Sequence, residues 1–401
     1  MTIAGSHEHC SGKVGNSFLY YVAPVFFAFL LNYSIIPSES SGEYGDQFAL
    51  YARGGFWSAL FAVCFLFFKL RFVSKPAIFV AFLFGALFLF ANVGDRSISF
   101  SWVLYVLHII LGAFIVHGAV QSSLIFKAIF LRSLDILIAV WVALFVFQVG
   151  FFFATGDIVD IHNMIVPYSE QRTEVLGAGF ARLGGAHIEP GTYANWLYGL
   201  VLLKIFYTRN LFDRITVISM CTIPLCGSFW GFLAFFFYFF SFFIAGGSVR
   251  FSSIIWILGA FLILVAIAAQ TGVLDNLLLY VLDRSTLDDN SSQAKVQAYD
   301  GFLLNLNDYI FYGMSYLYDF CGGCYSPQDA GVFLNSSVRV GLLGAVFIFG
   351  LIAFYTFCGF GFAGIVLIIP VFFAKWYYWD HVFWLVVFSS MYFFSKKTLI
   401  K

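Results

Sequence analysis

The strongest constraint on this chain is a repetition of apolar runs, most of them about 17 to 24 residues long, separated by polar stretches. A run of that length crosses the roughly 30 Å hydrocarbon layer as a helix, the open form that answers every backbone N–H and C=O within its own segment. The runs are Phe18–Ile36, Gly54–Leu70, Ala77–Val93, Phe100–Val120, Leu134–Ala154, Gly191–Phe206, Ile215–Cys226, Phe229–Ala245, Ile254–Thr271, Leu334–Phe357, Gly361–Ala374 and Trp376–Phe394. They predict an all-α polytopic membrane protein, with about twelve transmembrane helices in one integral domain, 1–401. Of the residues, 61% are hydrophobic and only 10% charged, so no soluble core of ordinary polarity accounts for them. Most of the 55 phenylalanines are expected to be lipid-facing bulk.

Charge orients the runs. The stretch from Ile215 to Ala245 is interrupted by Pro224, Gly227, Ser228 and Gly231, and reading it as two helices puts every basic cluster of a short loop on one side. With cytoplasmic N- and C-termini, Lys69, Arg71 and Lys75, Lys127 and Arg132, Lys204, Arg209 and Arg214, and Lys396 and Lys397 all fall inside, as the positive-inside tendency requires. Nearly all acidic residues then lie outside; Glu8, Asp135 and Asp213 are the exceptions. The formal net charge of zero excludes a strongly basic nucleic-acid binder. No h-region or cleavage site for a removable signal peptide is expected in the polar first residues.

Two outside loops are long enough to need a function, about 155–190 and about 272–333. The second contains an amphipathic stretch, Gln293–Leu306, with Val296, Tyr299, Phe302, Leu303 and Leu306 at helical spacing, suited to lying on the membrane surface. It also holds Cys321-Gly322-Gly323-Cys324, a close pair that could form a small disulfide ring in an oxidising compartment. The other cysteines read as buried thiols or, for Cys10, as part of the polar N-terminus.

The first loop ends in the polar run Gly179–Trp196, immediately before an apolar helix. Here Arg182 either grips a phosphate through its paired donors or pairs with Glu174 or Glu189. Gly184 and Gly185 would allow close backbone approach to a ligand. Glu189 fits a general base, an arginine orienter, or a plain helix-start residue ahead of Pro190. His187 could take a proton from a sugar hydroxyl near neutral pH or be structural, and His162 carries less weight. His108 and His117 read as polar contacts between helices. The remaining outside cations include Arg172, Arg284, Lys295 and Arg339. Arg339, within the first turns of a predicted span, must pair, face a polar cavity or snorkel. No phosphate-binding glycine loop, dinucleotide fingerprint, HExxH or DxD occurs, so no cofactor and no metal is expected.

The run Arg182, Gly185, Glu189, Pro190, Tyr193 and Ala194 resembles the O-antigen polymerase (Wzy-type) and O-antigen ligase superfamily, in which R-x-x-G-x-x-x-E-P-x-x-aromatic-A opens a transmembrane helix outside the membrane. Leu225-Cys226-Gly227-Ser228 followed by Gly231 is similar to that family's Thr-x-Ser-Arg-x-Gly turn, with Phe229 in place of the basic residue. Phe311-Tyr312-Gly313-Met314, Asn335 and Gly341-Leu342-Leu343-Gly344 resemble its closing motif. The usual Ser-x-x-Arg of the second loop appears as Ser292-Gln293-Ala294-Lys295, and that loop lacks the histidine of ligases, which favours polymerase. The resemblance implies a GT-C-like, metal-independent glycosyltransferase in the bacterial inner membrane. It would join undecaprenyl-diphosphate-linked repeat units at the periplasmic face, alongside a flippase and a chain-length regulator. Implied roles are diphosphate binding for Arg172, Arg182, Lys295 and Arg339, and activation of the acceptor hydroxyl by Glu189 or His187. Two other readings stand beside it: O-antigen ligase, and, from another class, a membrane transporter or flippase. Against the last, the charges cluster in loops while presumed midplane positions carry almost none.

Overall fold

The computed structural model describes residues 17–36, 75–93, 100–167, 169–175, 181–245, 290–313, 330–374 and 376–391. The predicted spans Gly54–Leu70 and Ile254–Thr271, most of the second loop with Arg284 and the Cys321–Cys324 pair, and the side chain of Lys295 lie outside the described residues. What is described is mostly helical: α1 (Ser17–Ile35), α2 (Lys75–Val93), α3 (Phe100–Ser122), α4 (Leu124–Thr155), α5 (Ile161–Ile165), α6 (Pro190–Thr208), α7 (Arg214–Leu225), α8 (Phe229–Ile244), α9 (Asn290–Leu304), α10 (Val332–Val340), α11 (Leu342–Phe373) and α12 (His381–Ser390). The all-α reading needs one small correction. Glu174–Val175 (β1) and Ala181–Arg182 (β2) pair antiparallel inside the first loop.

Among the described residues, three helices are long and apolar enough to cross a membrane: Val103–Ser122, Leu124–Thr155 and Leu342–Phe373. The outward surface is greasy, with Phe82 at 72% and Phe90 at 66% exposure, and a soluble protein would hide such a surface. α4 begins at Leu124, capped by Ser123, well before the predicted Leu134. Lys127 and Arg132 therefore ride on a helix that runs past its apolar stretch and are not loop residues.

Several breaks place the site. α7 and α8 form a hairpin: Gly227 turns with φ +71°, and the Phe212 and Phe242 rings meet at 4.2 Å. Ile215–Ala245 is thus two helices. α11 folds back at Gly361 (φ 67°), since Phe349 and Phe372, more than 30 Å apart along a straight helix at about 1.5 Å per residue, have ring centroids 4.8 Å apart. The predicted span Leu334–Phe357 is cut at Gly341 (φ +86°), so Arg339 stands in the last turn of the separate helix α10. The span Trp376–Phe394 begins with a turn and becomes helical at His381. On α9, Phe302 is buried with Tyr309, Leu334 and Val338, while Tyr299, Leu303 and Leu304 stay exposed, so only part of the amphipathic stretch packs on α10.

α6 is the centre. Every residue from Tyr193 to Tyr207 is buried, enclosed by α4, α7, α8 and α12. Its Gly199 exists for contact, because a β-carbon there would sit 2.2 Å from the Trp376 ring.

Candidate functional site

The site candidate is the N-terminal end of α6. Pro190 takes the first helical position, where its missing N–H is no loss, and Glu189 caps the helix in extended conformation. The Glu189 N–H donates to Thr192 Oγ1 (3.3 Å). The loop leading in is held by a buried carboxamide of α4: Gln148 Oε1 accepts from the Gly185 N–H (2.8 Å), and its Nε2 donates to Val159 O and Gln171 Oε1. Gln171 in turn donates to the Gly185 and His187 carbonyls. His162 is fully buried. Because a carbonyl can only accept, its Nδ1 donates to Ala186 O (2.9 Å) and its Nε2 takes the Ser169 hydroxyl proton.

Gly184 and Gly185 are both tightly packed. A β-carbon on Gly185 would lie 3.2 Å from the Phe145 backbone, and one on Gly184 would lie 2.9 Å from His187 O. The close approach predicted there is an approach of α4 to the loop itself.

Arg182 Nη1 donates to Glu174 Oε2 (2.8 Å) across the β-ribbon, where the two residues are register partners. The pairing expected between Arg182 and Glu174 is present. Arg172 is the cation near Glu189: its guanidinium lies 4.0 Å from Oε2, with side-chain exposures of 63% and 25%. The Arg172 N–H donates to Ile188 O (2.6 Å), fixing the two chain segments side by side. His187 is buried, with its ring edge-to-face on Trp141 at 4.4 Å and beside Tyr193 at 5.8 Å. It walls the base of the site.

The α7–α8 turn closes the other flank. Cys226 Sγ contacts Pro190 O at 3.4 Å. Glu189 Oε1 and Ser228 Oγ flank Gly191, each 3.9 Å from where a β-carbon would stand. Gly231 packs tightly on Ile223 and Ala194, letting the first turns of α6 and α8 meet. Glu189 and Ser228, about forty residues apart in sequence, thus meet at the start of α6, with Arg172 beside Glu189.

The remaining candidates stand elsewhere. Arg339 belongs to α10, which packs on α2 and α11, and Lys295 stands on α9. Gly313 packs against Arg339: a β-carbon would lie 1.9 Å from Arg339 O. Leu342 and Leu343 N–H groups donate to Tyr309 and Ile310 carbonyls, so the two halves of the closing motif are in contact.

Sequence reasoning missed the pair His381 and Ser34, joining α12 to α1: Ser34 gives its proton to Leu31 O, so His381 Nε2 donates to Ser34 Oγ (2.8 Å). It also missed Gln148 and Gln171. A lone carboxamide inside the apolar run Leu134–Ala154 was the available signal for Gln148. Among the described residues no cluster of His, Cys, Asp and Glu could hold a metal ion. No protein-family model, curated protein or solved structure matches this chain.

Proposed function

We propose that the protein is a polysaccharide polymerase, joining undecaprenyl-diphosphate-linked oligosaccharide units at the outer face of the bacterial inner membrane. The observation that carries the reading is the rim at the start of α6. There a part-exposed Glu189 stands beside the exposed guanidinium of Arg172, with Ser228 near it across Gly191, while Arg182 pairs with Glu174 in the ribbon of the same loop.

In this reading the acceptor sugar hydroxyl attacks the anomeric carbon of the donor. The new C–O bond forms as the bond to the diphosphate breaks, and the hydroxyl proton passes to the Glu189 carboxylate. The diphosphate leaves with its charge met by Arg172 and Arg182, the type of group arginine holds through paired donors. No metal is required by that balance. Arg339 and Lys295, away from this rim, would meet the diphosphate of the second, acceptor lipid. The greasy surface suits a donor whose lipid tail stays in the bilayer.

The test is the surface-polysaccharide ladder of a host deleted for the gene and complemented with wild type, Glu189→Gln or Arg172→Ala. Deletion is expected to leave core plus a single repeat unit. At equal protein level, Glu189→Gln is expected to cut polymer formation by about a hundredfold or more, the scale of a lost general base, and Arg172→Ala to shorten or erase the ladder. Core alone, with polymer accumulating on the lipid carrier, would make the protein a ligase. An unchanged ladder on deletion would remove both readings and leave transport.

A further inference from the structure

α10 is a nine-residue helix whose sequence, VFLNSSVRV, is a strange choice for a protein interior. Its residues have divided duties. Leu334 and Val338, one turn apart, pack with Phe302 and Tyr309 below α9. Phe333 meets Phe349 and Phe373 of α11, at 5.4 and 6.3 Å between ring centroids. Ser337 is satisfied locally, donating to Phe333 O at 2.8 Å.

What remains is a third stripe. Asn335 and Arg339 are four apart and Ser336 and Arg339 three apart, so the three side chains share one face of the helix. Asn335 is 0% exposed, Ser336 1% and Arg339 2%. Both heteroatoms of the Asn335 carboxamide, Nδ2 and Oδ1, lack a hydrogen-bond partner, and so does Ser336 Oγ. A buried carboxamide left in that state is a standing penalty that a fold normally avoids, because an amide removed from water loses its hydration and recovers it only through new hydrogen bonds. Here a fully buried side chain has two donor hydrogens and an acceptor oxygen unanswered, with a hydroxyl in the same condition beside it.

We infer that the Asn335–Ser336 face of α10 is a binding subsite for a sugar ring, reading its hydroxyls, and that this sugar is the one bonded directly to the diphosphate of the acceptor lipid. The inference rests on the polymerase reading for the identity of the ligand. The chemistry of the face selects the class. An anion offers only acceptors and would leave Asn335 Oδ1 facing negative charge, whereas a cation would leave Nδ2 unanswered. Neighbouring sugar hydroxyls each give and take a hydrogen bond, so they satisfy Nδ2, Oδ1 and Oγ together. Arg339, one turn on, brings a guanidinium to the end of the stripe where the diphosphate would lie.

The experiment uses the full-length protein purified in detergent, with melting temperature as the readout. The probes are undecaprenyl diphosphate and the lipid-linked oligosaccharide extracted from the host. Asn335→Leu keeps the volume and removes the unanswered groups. It is expected to raise the melting temperature of the ligand-free protein by about 1–4 °C. Wild type is expected to be stabilised more by the sugar-bearing lipid than by the bare diphosphate, and Asn335→Leu equally by both. Ser336→Ala repeats the test with a smaller change in the same direction, should the larger substitution fail to fold. A fall of several degrees in both ligand-free variants would show that the two polar groups are structural and overturn the subsite. A variant that still prefers the sugar-bearing lipid as wild type does would overturn it while leaving the polymerase reading intact. A wild type indifferent to both lipids would overturn the two together.

Discussion

Lys204 and Asn335 are both polar groups buried in an apolar protein, and the fold treats them in opposite ways. Lys204, on α6 some 20 Å from Pro190 at 1.5 Å per residue, has a side chain only 5% exposed. Its ammonium lies 2.5 Å from Asp135 Oδ1 of α4 and in direct contact with Asp213, the N-cap of α7. The ammonium has a carboxylate of α4 on one side and one of the α7 cap on the other, and the three elements are tied at one point. On α10 the Asn335 carboxamide has no such answer. Polar groups buried for stability come with their partners, so the difference marks the Lys204 knot as architecture and the α10 stripe as a place kept for something else.

The largest effect that tests this contrast is at the knot. Asp135→Asn with Asp213→Asn strands the ammonium in the interior. The double variant is expected to lose on the order of 3–5 kcal/mol, the cost of leaving a buried charge unpaired. The measurement is the melting temperature and the folded yield in detergent. Adding Lys204→Met to the double variant should recover most of the loss, since no charge is then left to bury. A double variant that melts like wild type would mean that solvent reaches Lys204 and that the two regions do not differ as described.

Next in size is a backbone contact on the α10 side. A β-carbon at Gly313 would stand 1.9 Å from Arg339 O and 2.7 Å from Val340 N, both main-chain atoms that cannot rotate away. Gly313→Ala is therefore expected to cost about 1–3 kcal/mol, as overpacking does, and to shift Arg339 from its place. Gly150→Ala, where nothing lies within 4 Å, is the matched control and should leave the melting temperature unchanged or slightly raised. Equal behaviour of the two would dissolve the contact on which the placement of α10 depends.

The apolar runs were legible because hydropathy alone sets them, and each predicted span that falls on described residues contains helix. The turn between α7 and α8 was legible too, since Pro224, Gly227 and Gly231 all mark it. Less visible was the break at Gly341, because Leu334–Phe357 is apolar on average and one glycine with φ +86° does not alter that average. The start of α4 was hidden for the opposite reason: Lys127 and Arg132 look like loop residues, yet a helix continues wherever its backbone bonds are made. At the candidate site, Arg182, Glu189 and Pro190 could be named from their spacing. The neighbour of Glu189 could not: Arg172 reaches it through the fold of a loop organised by Gln148, Gln171 and His162, and no periodicity records such a contact. The knot was half visible, in that Asp135, Lys204 and Asp213 were all assigned to the same side.

The smallest expected effect is a pH dependence confined to one of the two regions. Burial pushes the Asp213 carboxyl up, but the Lys204 ammonium and the Thr216 and Ile215 N–H groups outweigh it and hold the group below the usual carboxylate range. A carboxylate depressed in the folded state contributes its stability above its unfolded pKa and loses it as pH falls through the folded value. Stability should therefore decline on acidification from neutral pH to about pH 3, and Asp213→Asn should be less stable at neutral pH with a shallower decline. The α10 stripe behaves differently because a carboxamide and a hydroxyl do not titrate in that range and a guanidinium keeps its proton. The gain in melting temperature expected for Asn335→Leu should accordingly be the same at both ends of the acid range. A gain that vanished with acid would tie Asn335 to a titrating neighbour and remove the distinction between a closed ionic knot and an open neutral subsite.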